Sequence, residues 1–297
     1  MSEEYFPTAA DFAAMTFRDK FILTRAITKS DWAKLLVALM VTGLILALAG
    51  FFLTVFLDLG PDLRQLAEQV ALNPADPWAL SLTLDRNFII RFLLTYFLLA
   101  LLAFFLETGL NTLIVKYVSG REPGRLLAEI FSPWARPARV LLCGLAWIGL
   151  SQAVDLMLSV MAQMPALGSA LKLFGLIFLK LLGQCYIFYL ADHPKTTATL
   201  ALATSFQILR RHWRGWLTAL LLTLALTLPP GLMVALGLFT LARGGYIFFP
   251  ALLIGAGSLY LAVAVIFSLV FTGVTYQQTK SAVLGDEMTN SHSSSSS

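Results

Sequence analysis

The sequence predicts an all-α, polytopic membrane bundle. About six transmembrane helices form three helical hairpins, each preceded by a cytoplasmic amphipathic helix. Three observations carry this. Of 297 residues, 58% are hydrophobic and only 13% charged, about half the charge of a typical soluble domain, so there is too little polar surface to coat a water-soluble particle. The apolar residues come in runs of about twenty or more, the length a helix needs to cross a hydrocarbon layer about 30 Å thick. Lysine and arginine gather in alternate connections between those runs, as the positive-inside rule requires. A closed barrel would show short alternating segments instead, and the sequence has none.

Taken in order, the first span covers 33–57. Its apolar run ends in Ala47-Leu48-Ala49, which resembles a signal-peptide cleavage site, but Phe51, Phe52, Val55 and Phe56 extend it. A cleavable segment stops at its small residues, so this run reads as a membrane helix. The sizeable outer loop, 58–87, carries Leu63, Leu66 and Val70 at helical spacing, which predicts a short amphipathic helix there. Further spans follow at 88–117, 138–163, 166–191, 216–241 and 248–277. Residues 1–285 form one membrane domain, and the serine-rich stretch 286–297 reads as a disordered tail.

Fifteen basic residues fall before span one, after spans two and four, and in the tail; only Arg64, Arg86 and Arg243 fall in the other connections. The fifteen therefore belong in the cytoplasm, with both termini, in a multi-pass protein of the cell membrane, the bacterial inner membrane by preference. The net charge of +4 is a topology signal and does not point to nucleic acid. Cys143 and Cys185 both lie in apolar runs and read as small buried hydrophobes rather than a disulfide framework.

An internal repeat organises the chain. Trp32, Trp134 and Trp213 each close a cytoplasmic segment, each has a basic neighbour, and each opens a unit of two spans. The separations are 102 and 79 residues, the longer outer loop of the first unit making the difference. Tryptophan beside Lys or Arg is also the usual interfacial anchor. The segments before the tryptophans are amphipathic: Leu202, Phe206, Leu209 and Trp213 form one helical stripe, with Arg210, Arg211 and Arg214 largely elsewhere. Such helices lie in the headgroup layer with cations on anionic lipid, or pack on another subunit. Membrane lipids are the expected partners, with protein partners or a homo-oligomer as the alternative.

This layout resembles the bacterial polytopic proteins related to the membrane domain of certain glycerophosphodiester phosphodiesterases. Ala203-Thr204-Ser205-Phe206-Gln207-Ile208-Leu209-Arg210-Arg211-His212-Trp213 is similar to that family's Ser-aromatic, basic, Trp signature before a span. The resemblance implies the topology of most of the chain. The phosphodiesterase catalytic barrel is absent, so no such activity is implied.

Ionisable residues within spans are costly and candidates for function. Arg91, near an outer end, is placed to snorkel to headgroups. Glu107 and Lys180 lie at similar depth, as do Asp155 and Lys172, so two buried ion pairs, or the wall of a solute path, are the expected arrangements. As ion pairs they fix helix neighbours, with Asn111, Gln152 and Gln184 adding interhelical hydrogen bonds. Pro229-Pro230-Gly231 predicts a kink or break in span five, a feature that can line a binding site. Gly255, Gly257 and Gly273 permit close helix contact. No catalytic, metal or cofactor motif is present: the histidines lie in loops and tail, with no His-Glu-x-x-His helix, nucleophile elbow or Walker loop. The function these residues favour is a structural or regulatory role through lipid or protein contacts; a carrier or channel is the alternative.

The topology predicts that a cysteine replacing Arg121 or Arg211 stays unlabelled when an impermeant thiol reagent is added outside intact cells, and reacts in inverted vesicles. Labelling from outside reverses the assignment.

Overall fold

The computed structural model describes residues 7–65, 86–121, 123–161, 167–242 and 248–294. They are predominantly helical, with no strand among them. The helices are α1 (Ala9–Ala14), α2 (Phe17–Phe56), α3 (Arg86–Val118), α4 (Leu126–Ile130), α5 (Pro137–Met161), α6 (Leu167–Asp192), α7 (Ala198–Ala242) and α8 (Phe248–Ser294), with a 3-10 turn at Ser132–Ala135. Six are long and apolar enough to cross a membrane: α2, α3, α5, α6, α7 and α8. The chain is therefore an all-α polytopic membrane bundle. Helix α8 continues to Ser294, into the stretch read from sequence as a tail. Residues 60–65 are helical, but Leu66 and Val70 of the expected outer-loop helix lie outside the described residues.

Local chemistry sets the ends. Thr8 with Asp11, and Thr16 with Asp19, make capping boxes that start α1 and α2, each satisfying otherwise orphaned backbone N–H groups. Helix α3 stops at Gly120, whose φ of 70° suits a residue without Cβ; Arg121 N–H then donates to the Lys116 carbonyl at 2.9 Å, a Schellman closure. At the opposite end of the bundle, Arg91 does not run free to headgroups. It pairs with Asp62 at 2.8 Å and donates to the Leu57 carbonyl at 3.1 Å, so it satisfies the carbonyl end of α2 and ties the first hairpin's turn.

The helices pair as hairpins: α2 with α3, α5 with α6, and α7 with α8. Two long helices bend at one residue each. Backbone dihedrals leave helical values at Asp31 (φ −119°, ψ 17°) and at His212 (φ −125°, ψ 26°), each one residue before a tryptophan. In the middle unit the corresponding place is the 3-10 turn that contains Trp134. Each segment before a tryptophan rests on the last helix of another hairpin. Phe17 and Phe21 pack on Phe271 and Phe267 of α8, with ring centroids 5.6 and 5.1 Å apart. Trp134 packs on Phe105 of α3 at 5.0 Å. Ser205 offers its carbonyl to the Cys185 thiol of α6 at 3.6 Å.

Those last helices, α3, α6 and α8, meet at Gly273. A Cβ there would stand 2.7 Å from Ile114 and 3.4 Å from Phe188 and Val118. Gly109 is tighter still: a Cβ would run into the backbone carbonyl of Ile130. Gly257 sits against Val234, Met233 and the Pro230 carbonyl, whereas Gly255 faces open space. Of the three glycines expected to admit neighbours, Gly257 and Gly273 do so.

Of the kink or break expected at Pro229-Pro230, no break appears in the dihedrals. Both prolines sit inside α7, whose single departure from helical geometry among the described residues is His212. Proline's fixed φ is itself compatible with a helix, and in membrane helices the backbone groups it frees are re-satisfied by neighbouring helices and local adjustments, so a break is not obliged.

Gly109→Ala is expected to lower the unfolding temperature in detergent through overpacking of about 1–3 kcal/mol. Gly43→Ala, with nothing within 4 Å, should not. Coincident melting of the two variants would show that the Gly109–Ile130 contact is not needed.

Candidate functional site

The residues singled out in the spans are not brought together as pairs. Glu107 and Lys180 are near enough to interact electrostatically, but among the described residues no ion pair within 4 Å joins them, and Lys180 lies on the exposed side of α6. Lys172 donates to Ser159 at 3.2 Å rather than to Asp155. Gln152 bridges α5 and α3 by donating to the Tyr96 hydroxyl at 3.4 Å; the side-chain oxygens of Asn111 and Gln184 have no protein partner. Similar depth along two helices thus did not imply facing orientation. Cys143 and Cys185 are buried and free.

The polar chemistry collects instead at the basic end. Asp192, the last residue of α6, keeps only 4% of its side chain exposed and takes Lys280 Nζ at 2.5 Å. Tyr276 donates its hydroxyl to the same carboxylate oxygen at 3.1 Å. Tyr276 and Lys280 are four residues apart on α8 and so share a face. At the same end, Glu129 of α4 accepts from Lys116 Nζ of α3 at 2.6 Å and from the Gly124 N–H at 3.1 Å. A charged hydrogen bond thus fastens the α3–α4 connection back onto α3.

Between these two clusters lies a cavity of about 400 Å³, within the range of about 300–1,000 Å³ that small-molecule sites occupy. Its walls come from the ends of α3 and α6, the 3-10 turn, the first turns of α5, and the connection from α6 to α7. Buried Val115, Cys143 and Leu190 form apolar wall, while Lys116, Arg121, Arg136, Arg139 and Lys195 supply cations. The carboxylates of Glu129 and Asp192 also line it, and both are engaged by lysines. Among the described residues Arg121, Arg136, Arg139 and Lys195 form no ion pair with a carboxylate. The wall hydroxyls of Thr108 and Thr112 donate to carbonyls of their own helix at 2.7 and 2.9 Å, so cationic side chains are the principal free donors. Among the described residues no group of His, Cys, Asp or Glu could hold a metal ion.

Sequence reasoning counted these basic residues only as topology signals, and Asp192 fell one position beyond the expected fourth span. The available signal was Arg136 and Arg139, three residues apart at a helix start.

The exposed face of the same end carries the tryptophans. Trp32, Trp134 and Trp213 are 43%, 46% and 50% exposed. The expected stripe on the third segment divides: Leu209 is buried with Ala201, Ser205 and Ile208, while Phe206 and Trp213 point outward and Leu202 is half-buried. Arg210, Arg211 and Arg214 are exposed, with the Arg214 guanidinium 5.7 Å from the Trp213 ring centroid.

The fold and its apolar helices define an integral membrane protein of six candidate spans. Compared with family models, curated proteins and solved structures, the chain matches none.

Asp192→Asn should destabilise the protein by roughly 3 kcal/mol, the scale for leaving one partner of a buried pair alone. Asp192→Asn with Lys280→Met should recover part of that loss. Thermal unfolding in detergent reads both; a single variant that melts like the parent removes the pair from the stabilising contacts.

Proposed function

We propose that this protein acts at the cytoplasmic leaflet of the cell membrane by holding anionic lipid, in a structural or regulatory role rather than as an enzyme, with both termini in the cytoplasm. The observation that carries this reading is the placement of Trp32, Trp134 and Trp213. Each is exposed and sits at or one residue after a break between a cytoplasmic segment and a membrane helix. Indole rings prefer the membrane–water interface, and basic residues beside them attract anionic headgroups at about 1 kcal/mol each. The outward Phe206 and Trp213 with Arg210, Arg211 and Arg214 make the third segment a basic amphipathic surface.

The same placement supports a threefold internal repeat. Each cytoplasmic segment leans on the last helix of the preceding unit, and the first leans on the last helix of the third, so the units close into a ring. The kinship we propose with the membrane domains of glycerophosphodiester phosphodiesterases rests on that layout and on the Ala203–Trp213 signature.

A carrier or channel built around the span charges draws less support. The cavity wall does not include Glu107, Lys180, Asp155 or Lys172, and α7 stays helical at Pro229 and Pro230.

Variants that retain a single tryptophan at position 32, 134 or 213 should be quenched by lipids brominated near the headgroup. Quenching should strengthen as anionic lipid replaces zwitterionic lipid, and should weaken in Arg210→Gln/Arg211→Gln/Arg214→Gln for the Trp213 probe. Quenching by aqueous iodide alone would defeat the proposal.

A further inference from the structure

We infer that the cavity between α3, α5 and the α6–α7 connection is a binding site for a phosphoryl anion. This site is distinct from the exposed tryptophan surface and stands or falls separately from it. The first argument is charge. Lys116, Arg121, Arg136, Arg139 and Lys195 line one concavity of about 400 Å³, against two carboxylates. Lys116 binds Glu129, and Asp192 is taken up by Lys280 and Tyr276 from outside the cavity lining. Three arginines and a lysine therefore face the same space with no carboxylate ion pair of their own among the described residues. Cations brought together in one concavity repel one another, and a bound anion removes that penalty.

The second argument is the type of cation and the frame that holds it. Guanidinium groups present paired donors that match the oxygens of a phosphoryl group. Arg136 precedes α5 and Arg139 lies in its first turn, so both issue from a helix start, where the backbone also favours an anion. The 3-10 turn with Pro133 sets the approach to that start. The Glu129 contacts to Lys116 and to the Gly124 N–H hold the opposite wall. Two of the arginines are thus held at a helix start, and the facing wall by an ion pair.

The third argument is polarity with depth. Arg121, Arg136 and Lys195 are exposed, whereas Val115, Cys143 and Leu190 are buried. The space has a cationic mouth and apolar inner walls, a form that accepts a phosphoryl group carrying a small, less polar substituent. Both a phospholipid headgroup and a soluble phosphate ester have that chemistry.

Native mass spectrometry of the full-length protein in detergent, titrated with phosphatidic acid, phosphatidylglycerol, phosphatidylcholine and, separately, glycerol phosphate, tests the site. Arg136→Gln/Arg139→Gln should weaken binding of the phosphoryl ligand about tenfold or more, as expected for lost charge-assisted hydrogen bonds. Lys195→Gln, at an exposed position on a connection, should weaken it several-fold without disturbing the fold. Arg25→Gln, outside the cavity lining, should leave it unchanged. Saturable binding of anionic lipid that glycerol phosphate does not displace assigns a lipid headgroup; saturable binding of glycerol phosphate with the same variant sensitivity assigns a soluble ester; either supports the site. Unchanged affinity in both cavity variants overturns it, as does an equal loss in Arg25→Gln or equal binding of phosphatidylcholine. Lipid quenching of Trp32 and Trp213 does not depend on Arg136 or Arg139, so failure here leaves the leaflet reading separately testable.

Discussion

The contact among α3, α6 and α8 at Gly273 governs the rest of the structure. Within lipid there is no hydrophobic gain from bringing two apolar helices together, because the tails are as apolar as leucine; association depends on close packing, polar contacts and lipid entropy. Glycine allows that approach. At Gly273 the absent side chain admits Ile114, Phe188 and Val118, and at Gly109 it admits the chain's own Ile130 carbonyl. With these contacts made, the ends of three helices from three hairpins are locked at one level. The segments that rest on them are then held in place.

Packing is accordingly uneven along the bundle. Helix α6 has a nearly continuous run of buried residues from Leu179 to Ala191 and none from Ser169 to Phe178. Helix α2 has no buried residue from Gly43 to Phe56. The outward-facing apolar residues of those stretches suit a hydrocarbon surroundings. The basic end, by contrast, buries Tyr276, the Asp192 side chain, Glu129 and Ile130, and it is there that the two interhelical ion pairs at Asp192 and Glu129 form. Ion pairs near a membrane surface need less desolvation than pairs at its centre, which accounts for Lys116–Glu129 and Lys280–Asp192 closing while Glu107 and Lys180 do not.

Much of the fold was legible because its cause is local. The length of an apolar run, the side on which lysines gather, and the place of a tryptophan ahead of a span are properties of contiguous residues, and the six long helices follow them. Helix continuity was less legible. Asp31 and His212, where two helices depart from regular dihedrals, carry no strong breaker signal, whereas the Pro229-Pro230 pair that does carry one lies in continuous helix. The third segment's stripe was correct in period but divided between two environments: Leu209 is buried, whereas Phe206 and Trp213 stay about half exposed, Phe206 meeting the exposed Phe178 of α6 edge-on. Periodicity reports which residues share a face, not what that face meets.

The cavity was the least legible element. Arg121, Arg136, Arg139 and Lys195 come from different connections, and in one dimension each is simply a cation on the basic side. By itself the sequence determined an all-α chain of six membrane-length helices with its basic residues on one side, because bilayer thickness and the difficulty of burying charge act on each segment separately. Which helices touch, that Asp192 takes Lys280, and that several cations share a hollow were decided only by tertiary structure. Those facts depend on rotation about each helix axis, and that rotation is set by contacts between residues far apart in the chain.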